Sequence, residues 1–306
     1  MKNLFKKYFT VLKIIWVLLI IIFVAHYLYK NYQQVLNIFT MLPVAHILLS
    51  FIFIVVSKVL LAGNMSYALR FSGAGLPFSK CFRIYNITQL AKYIPGGIWQ
   101  YIGKAGIYNS EGMKAATIKK GIIVEVLWFL LGAFFTGICL IVVTKPLLMA
   151  EIVKTYQRHF LIGGIAGLVM AGILFIIYFQ KIGNQAREFL SNLRLLGKVA
   201  LLQALVWFFL GASFVMVVRP FTVDYSLFFY LIGLYALAYV IGFVIPFAPA
   251  GLGIREAVLV FGLSFFVTPE ISVALAGIHR VIYILVEIGL VLIGQFEFFS
   301  KKFPEK

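Results

Sequence analysis

Two stretches of this sequence combine helix-breaking residues with fixed positive charge. The first, Tyr93-Ile94-Pro95-Gly96-Gly97-Ile98-Trp99, lies between Lys92 and Lys104; the second, Pro249-Ala250-Gly251-Leu252-Gly253, runs into Arg255 and Glu256. Proline removes a backbone donor, and glycine costs ~1 kcal/mol against alanine inside a helix, so neither stretch suits a continuous helix. A helix that restarts after such a break presents free N–H groups and a positive dipole end, which favours an anion such as phosphate. Pro95, Gly96 and Gly97 in one break, and Gly251 and Gly253 in the other, are candidates to approach that anion; Lys104, Arg255 and Arg280 would add charge. Glu256 belongs with this set, although Arg255 and Glu256 at the start of a short apolar helix also suit a headgroup interface.

Other chemistry is poorly represented. There is no Gly-x-Ser-x-Gly elbow, no His-Glu-x-x-His and no phosphate-binding P-loop, and Gly251-Leu252-Gly253 lacks the third glycine of a dinucleotide fingerprint. Cys81 and Cys139 have no metal or redox spacing, and His26, His46, His159 and His279 have no ligand spacing, so no cofactor or metal is expected. An enzyme is the less economical reading.

The elements that must position these residues follow from composition. The chain is 63% hydrophobic, 17% aromatic and 12% charged, with mean hydropathy +1.03, whereas soluble domains carry about a quarter charged residues. This predicts an all-α, polytopic membrane protein, one integral membrane domain over residues 1–306. Seven stretches reach the roughly 20 apolar residues that a span needs: 11–30, 44–70, 114–144, 159–180, 197–218, 226–247 and 270–298. The first follows a basic start but is long for a signal peptide and lacks a small-residue cleavage site, so it reads as a retained span. Gly163, Gly167 and Ala171 have the small-residue spacing of close helix packing.

A net charge of +17 suggests nucleic acid, but the positive-inside rule accounts for it. With the N-terminus in the cytoplasm, nineteen Lys and Arg fall inside, five outside and three, Lys58, Arg255 and Arg280, at membrane depth. The expectation is a cytoplasmic (plasma) membrane protein with no nucleic-acid partner. Arg280 lies about ten residues into the last long span, where a charge costs at least ~2.5 kcal/mol and needs a cavity or a partner. It could contact a ligand or pair with an acid on another helix, such as Glu125. Lys58 poses the same choice, and Glu125 and Glu287 are candidates for ion pairing or for coupling to an ion gradient.

Residues 76–112 are too polar and broken to cross as one helix. Residues 77–92 suit an amphipathic helix with Lys80, Arg83 and Lys92 on the polar face, and 98–110 a second short helix. The second break repeats the pattern: a short helix, then a long span with a buried acid, Glu125 after the first and Glu287 after the second. This suggests half-repeats of about 1–150 and 190–306, parallel or inverted, with a substrate site where broken helices meet. Residues 251–267 either cross as a short eighth span, which the positive-inside rule prefers, or re-enter, giving about seven to eight spans with one or two broken segments.

At these two segments the sequence resembles the flippase-like membrane family that includes the transmembrane region of lysylphosphatidylglycerol synthases. The family's Tyr-Leu/Ile-Pro-Gly followed by Gly-Arg appears as Tyr93-Ile94-Pro95-Gly96-Gly97 and Gly103-Lys104. Its Pro-Gly-Gly-Leu-Gly-x-Arg-Glu appears as Pro249-Ala250-Gly251-Leu252-Gly253-Ile254-Arg255-Glu256. Lys104 keeps the charge of the usual arginine without its bidentate fork, and Ala250 replaces a glycine. The resemblance implies translocation by alternating access of an anionic lipid, either a phospholipid or a polyprenyl-phosphate-linked sugar. The synthase members append an aminoacyl-transfer domain that this sequence lacks, so the translocating half is expected without the synthesising half. A glycosyltransferase or other lipid-modifying enzyme is the protein partner so implied. The alternatives are a non-catalytic subunit presenting lipid to a separate aminoacyl- or glycosyl-transferase, or a small anion transporter.

Overall fold

A computed structural model describes residues 22, 29, 32–33, 36–94, 98–155, 193–222, 224–245 and 248–302. Among these the regular structure is helical throughout: α1 (Val44–Phe71), α2 (Phe78–Gln89), α3 (Trp99–Ser110), α4 (Ala115–Thr144), α5 (Pro146–Thr155), α6 (Leu193–Val218), α7 (Leu227–Val244), α8 (Ile254–Leu263) and α9 (Pro269–Lys302). Short 3-10 turns occupy Leu90–Tyr93, Arg219–Phe221 and Pro249–Gly251.

Among the described residues, five helical segments are long and apolar enough to cross a membrane: Val44–Phe71, Ala115–Thr144, Gly197–Phe221, Leu227–Val244 and Pro269–Ile293. They coincide with five of the seven apolar stretches; the stretches at 11–30 and 159–180, with Gly163, Gly167 and Ala171, lie outside the described residues. The short helices fall where the breaks predict. At 1.5 Å per residue α2 and α3 rise about 18 Å each and α8 about 15 Å, well below the ~30 Å hydrocarbon thickness.

Local sequence explains the ends. Gly73, at φ +85°, closes α1, with the Ala74 N–H reaching the Leu69 carbonyl at 3.0 Å and the Gly73 N–H reaching that of Arg70 at 3.1 Å. Gly112, at φ +78°, closes α3 the same way, with Met113 N–H on the Tyr108 carbonyl at 3.2 Å. Glycine is favoured at both because any residue with a Cβ is strained in this left-handed conformation.

The long helices pack through small residues. α1 lies against α6 and α4, α7 against α4 and α6, α2 against α1 and α9, and α8 between α7 and α9. Gly137 of α4 meets Gly233 of α7: a Cβ on Gly137 would stand 3.1 Å from the Gly233 carbonyl oxygen. Lipid tails are as apolar as leucine, so this close approach, and not hydrophobic burial, holds the helices together. Between α6 and α7 a Cβ on Gly211 would lie 2.6 Å from the Ile232 Cα, and backbone cannot turn aside as a side chain can. Gly211→Ala is therefore expected to cost ~1–3 kcal/mol. Thermal unfolding in detergent checks this; an unchanged midpoint would mean that the α6–α7 spacing yields freely.

Polar residues join the same helices. The Asn64 side chain donates to the Glu125 carbonyl oxygen at 3.1 Å and accepts from Gln203 at 2.8 Å, tying α1 to α4 and α6. Trp207 stacks 4.7 Å from Phe129 and 5.4 Å from Tyr239, a packing role across α4, α6 and α7.

Candidate functional site

The turns beside the two breaks meet. The turn Leu90–Tyr93 contacts the turn Pro249–Gly251, and α9 packs on the first and reaches the second through Arg280. Beside them lies a cavity of about 280 Å³ lined by residues of α1, α2, α3, α4, α7, α8 and the two turns. Irregular backbone at membrane depth survives only when buried in protein or lining a wet cavity, because an unpaired amide in hydrocarbon costs several kcal/mol. The first turn of α3, which has no side-chain cap, contributes Gln100 and Tyr101 to the wall.

Among the sequence candidates, Lys104, Glu125, Gly251 and Arg255 line this cavity. Pro95, Gly96 and Gly97 lie outside the described residues. Gly253, Glu256, Arg280, Lys58 and Glu287 are not among the residues that line it.

Each charged candidate has a definite place. Lys104, 1% exposed, pairs with Glu125 at 2.5 Å, joining α3 to α4. Glu287 of α9 accepts from Lys58 of α1, from Lys92 at 2.5 Å and, through its other oxygen, from the Tyr93 hydroxyl at 2.9 Å. Lys58 also donates to the Tyr283 hydroxyl at 2.9 Å. Arg280 does not reach Glu125: it donates to the Ala250 carbonyl at 3.3 Å and lies 3.5 Å from a Glu256 oxygen. Glu256 in turn accepts from the Gly253 N–H at 2.8 Å. The start of α8 is thus capped by a carboxylate of its own helix where the sequence suggests room for a foreign anion.

Arg255 is arranged differently. It is 2% exposed and donates to the Tyr235 hydroxyl at 2.6 Å, with the rings of Tyr235, Tyr239 and Tyr283 at 4.7, 5.2 and 5.0 Å from its guanidinium carbon. Among the described residues no carboxylate lies within 4.0 Å of it. Ring faces stabilise a desolvated cation without neutralising it.

Lys92 overturns an expectation. The 77–92 segment was expected to be one amphipathic helix with Lys92 on its polar face, but the α-helix ends at Gln89 and tightens into the 3-10 turn that carries Lys92 inward, 6% exposed. Burial is tolerable because Glu287 is there to receive it. Lys92 and Lys104 therefore leave the tally of loop charges, and the number expected inside falls from nineteen to seventeen against five expected outside.

Sequence reasoning also left out the tyrosines. Arg280, Tyr283 and Glu287 have i, i+3, i+7 spacing, and Tyr235 and Tyr239 are four apart, so one face of α9 and one of α7 carry the site's polar groups. That periodicity was the available signal; for Lys92 there was none nearby.

The family model described as the lysylphosphatidylglycerol synthase TM region matches residues 10–290. The chain belongs to this family. No curated protein matches the chain.

In this member of the lysylphosphatidylglycerol synthase transmembrane-region family the second break contains a strained residue. Ala250 adopts φ 51°, ψ 25°, a left-handed conformation that costs a non-glycine residue ~1–2 kcal/mol. Gly251 follows at φ +69°, and a Cβ there would stand 3.1 Å from the Gly242 Cα. So close an approach needs glycine at 251 and merely prefers it at 250. Ala250→Gly is expected to raise stability by up to ~1 kcal/mol, since relief of strain exceeds the added freedom of the unfolded chain. A lower melting temperature for this variant would mean that the alanine methyl packs usefully.

Proposed function

We propose that this protein moves an anionic lipid headgroup between the leaflets of the cytoplasmic membrane, with its N-terminus on the cytoplasmic side. The observation that carries the reading is Arg255: a buried guanidinium in the wall of the cavity, held by rings and a hydroxyl and by no carboxylate within 4.0 Å among the described residues. A phosphate entering the cavity meets Arg255, Lys92 and Lys104 together, while the acyl or prenyl chains stay in lipid. The segment containing α2–α3 enters and returns, the second break and α8 form a short crossing, each half of the protein contributes one of these broken segments, and rocking of the halves exposes the cavity to either side in turn. The headgroup belongs to a phospholipid or to a polyprenyl-phosphate-linked sugar. Family membership supports a role in lipid handling. A lysylated phosphatidylglycerol headgroup, with two ammonium groups and one phosphodiester, would add positive charge to a site already rich in it, so an anionic lipid fits better.

Reconstituting the purified protein alone in liposomes with a fluorescent anionic lipid tests this. Quencher added outside is expected to reach lipid from both leaflets, against about half in empty vesicles. Unchanged sidedness would favour a subunit that presents lipid to a separate transferase. Uptake of a soluble anion without lipid movement would favour a small anion transporter.

A further inference from the structure

The charges around the Tyr283 ring do not cancel. Lys58 Nζ lies 4.5 Å from the ring centroid, Lys92 Nζ 5.0 Å and the Arg255 guanidinium carbon 5.0 Å. Any two of these cations are therefore within about 10 Å of each other, a range over which like charges repel strongly in a low dielectric. One carboxylate, Glu287, serves both lysines, and among the described residues Arg255 has none within 4.0 Å. The remaining pairs around the cavity, Lys104 with Glu125 and Arg280 with Glu256, neutralise each other. Two formal positive charges are left, and two of the three cations concerned, Lys92 and Arg255, line the cavity.

Unpaired charge at membrane depth is costly, and it persists where a ligand supplies the counter-charge. A phosphodiester brings one negative charge and leaves one positive charge buried. A phosphate monoester or a diphosphate brings two. The cavity, at about 280 Å³, is many times the ~10–15 Å³ that one water needs, which leaves room for such a headgroup.

We propose that the cavity takes a lipid headgroup carrying two negative charges on phosphorus-bound oxygens, a phosphate monoester or diphosphate, in preference to a singly charged phosphodiester. This rests on the lipid reading above and narrows its substrate.

The test is calorimetric titration of the full chain in phosphatidylcholine nanodiscs at pH 8, where a monoester is doubly ionised because its second pKa is about 6. Protein-free nanodiscs serve as the blank. The probes are dihexanoyl phosphatidic acid, dihexanoyl phosphatidylglycerol and inorganic phosphate. Phosphatidic acid is expected to bind at least about tenfold more tightly than phosphatidylglycerol, with Arg255→Gln bringing the ratio close to one and Arg255→Lys keeping it. Equal wild-type affinity for the two lipids overturns the two-charge inference and leaves the lipid reading standing. Inorganic phosphate binding as tightly as phosphatidic acid keeps the two-charge preference but overturns lipid as its source. Should Arg255→Gln fail to fold, the wild-type ratio alone decides.

Discussion

Glu287→Gln is expected to destabilise the protein by ~3–5 kcal/mol, the cost of breaking a buried ion pair by removing one partner. The size follows from what Glu287 holds. Two ammonium groups, from α1 and from the turn after α2, and the Tyr93 hydroxyl converge on its carboxylate. Glutamine keeps an acceptor but not the charge, so Lys58 and Lys92 remain buried as uncompensated cations. Thermal or denaturant unfolding in detergent reads the loss. Adding Lys58→Met to Glu287→Gln removes one of the orphaned charges and is expected to recover part of it. A single variant as stable as wild type, or a double variant no better than the single, would show that water reaches this cluster and screens it.

Arg255→Gln is expected to reduce lipid movement in reconstituted vesicles to the level of empty ones while leaving the protein folded. Arg255 makes no ion pair among the described residues, so its removal orphans no carboxylate; the surrounding hydroxyls and rings can accommodate a neutral amide. What is lost is the charge beside the cavity. Arg280→Ala makes the informative contrast. Arg280 touches the Ala250 carbonyl and Glu256, and it does not line the cavity. Its loss is expected to loosen the second break and to lower stability as well as transport. Transport that survives Arg255→Gln would remove this guanidinium from substrate binding; loss of transport with loss of folding would place it with the structural pairs.

The long helices and the two interruptions could be read in the sequence because hydropathy and proline or glycine placement are local properties. Both short helices that follow the breaks begin where the breaks predict, at Trp99 and Ile254. Pairing was not legible. Lys92 and Glu287 are separated by 195 residues, and nothing around Lys92 distinguishes it from a solvated lysine at the end of an amphipathic helix. Arg280 is a case of the same limit: its depth in α9 calls for a partner, but depth cannot choose between Glu125 and Glu256. Glu256 shows a third limit, since a motif that leads to an anion at a helix start says nothing of whether the chain supplies that anion itself.

The separation along the chain between bases and acid has a consequence for synthesis. Lys58 precedes Glu287 by 229 residues. At ~5–20 residues per second the ribosome delivers the carboxylate about 10–45 s after the lysine. Throughout that interval α1 holds Lys58 at its centre without the carboxylate it pairs with in the folded protein, and the turn after α2 adds Lys92 in the same condition. The early helices must therefore remain beside the insertion machinery, or at the water interface, until the last helix arrives. Membrane integration of this protein then ends with a single late step, in which α9 brings the carboxylate to both waiting lysines at once.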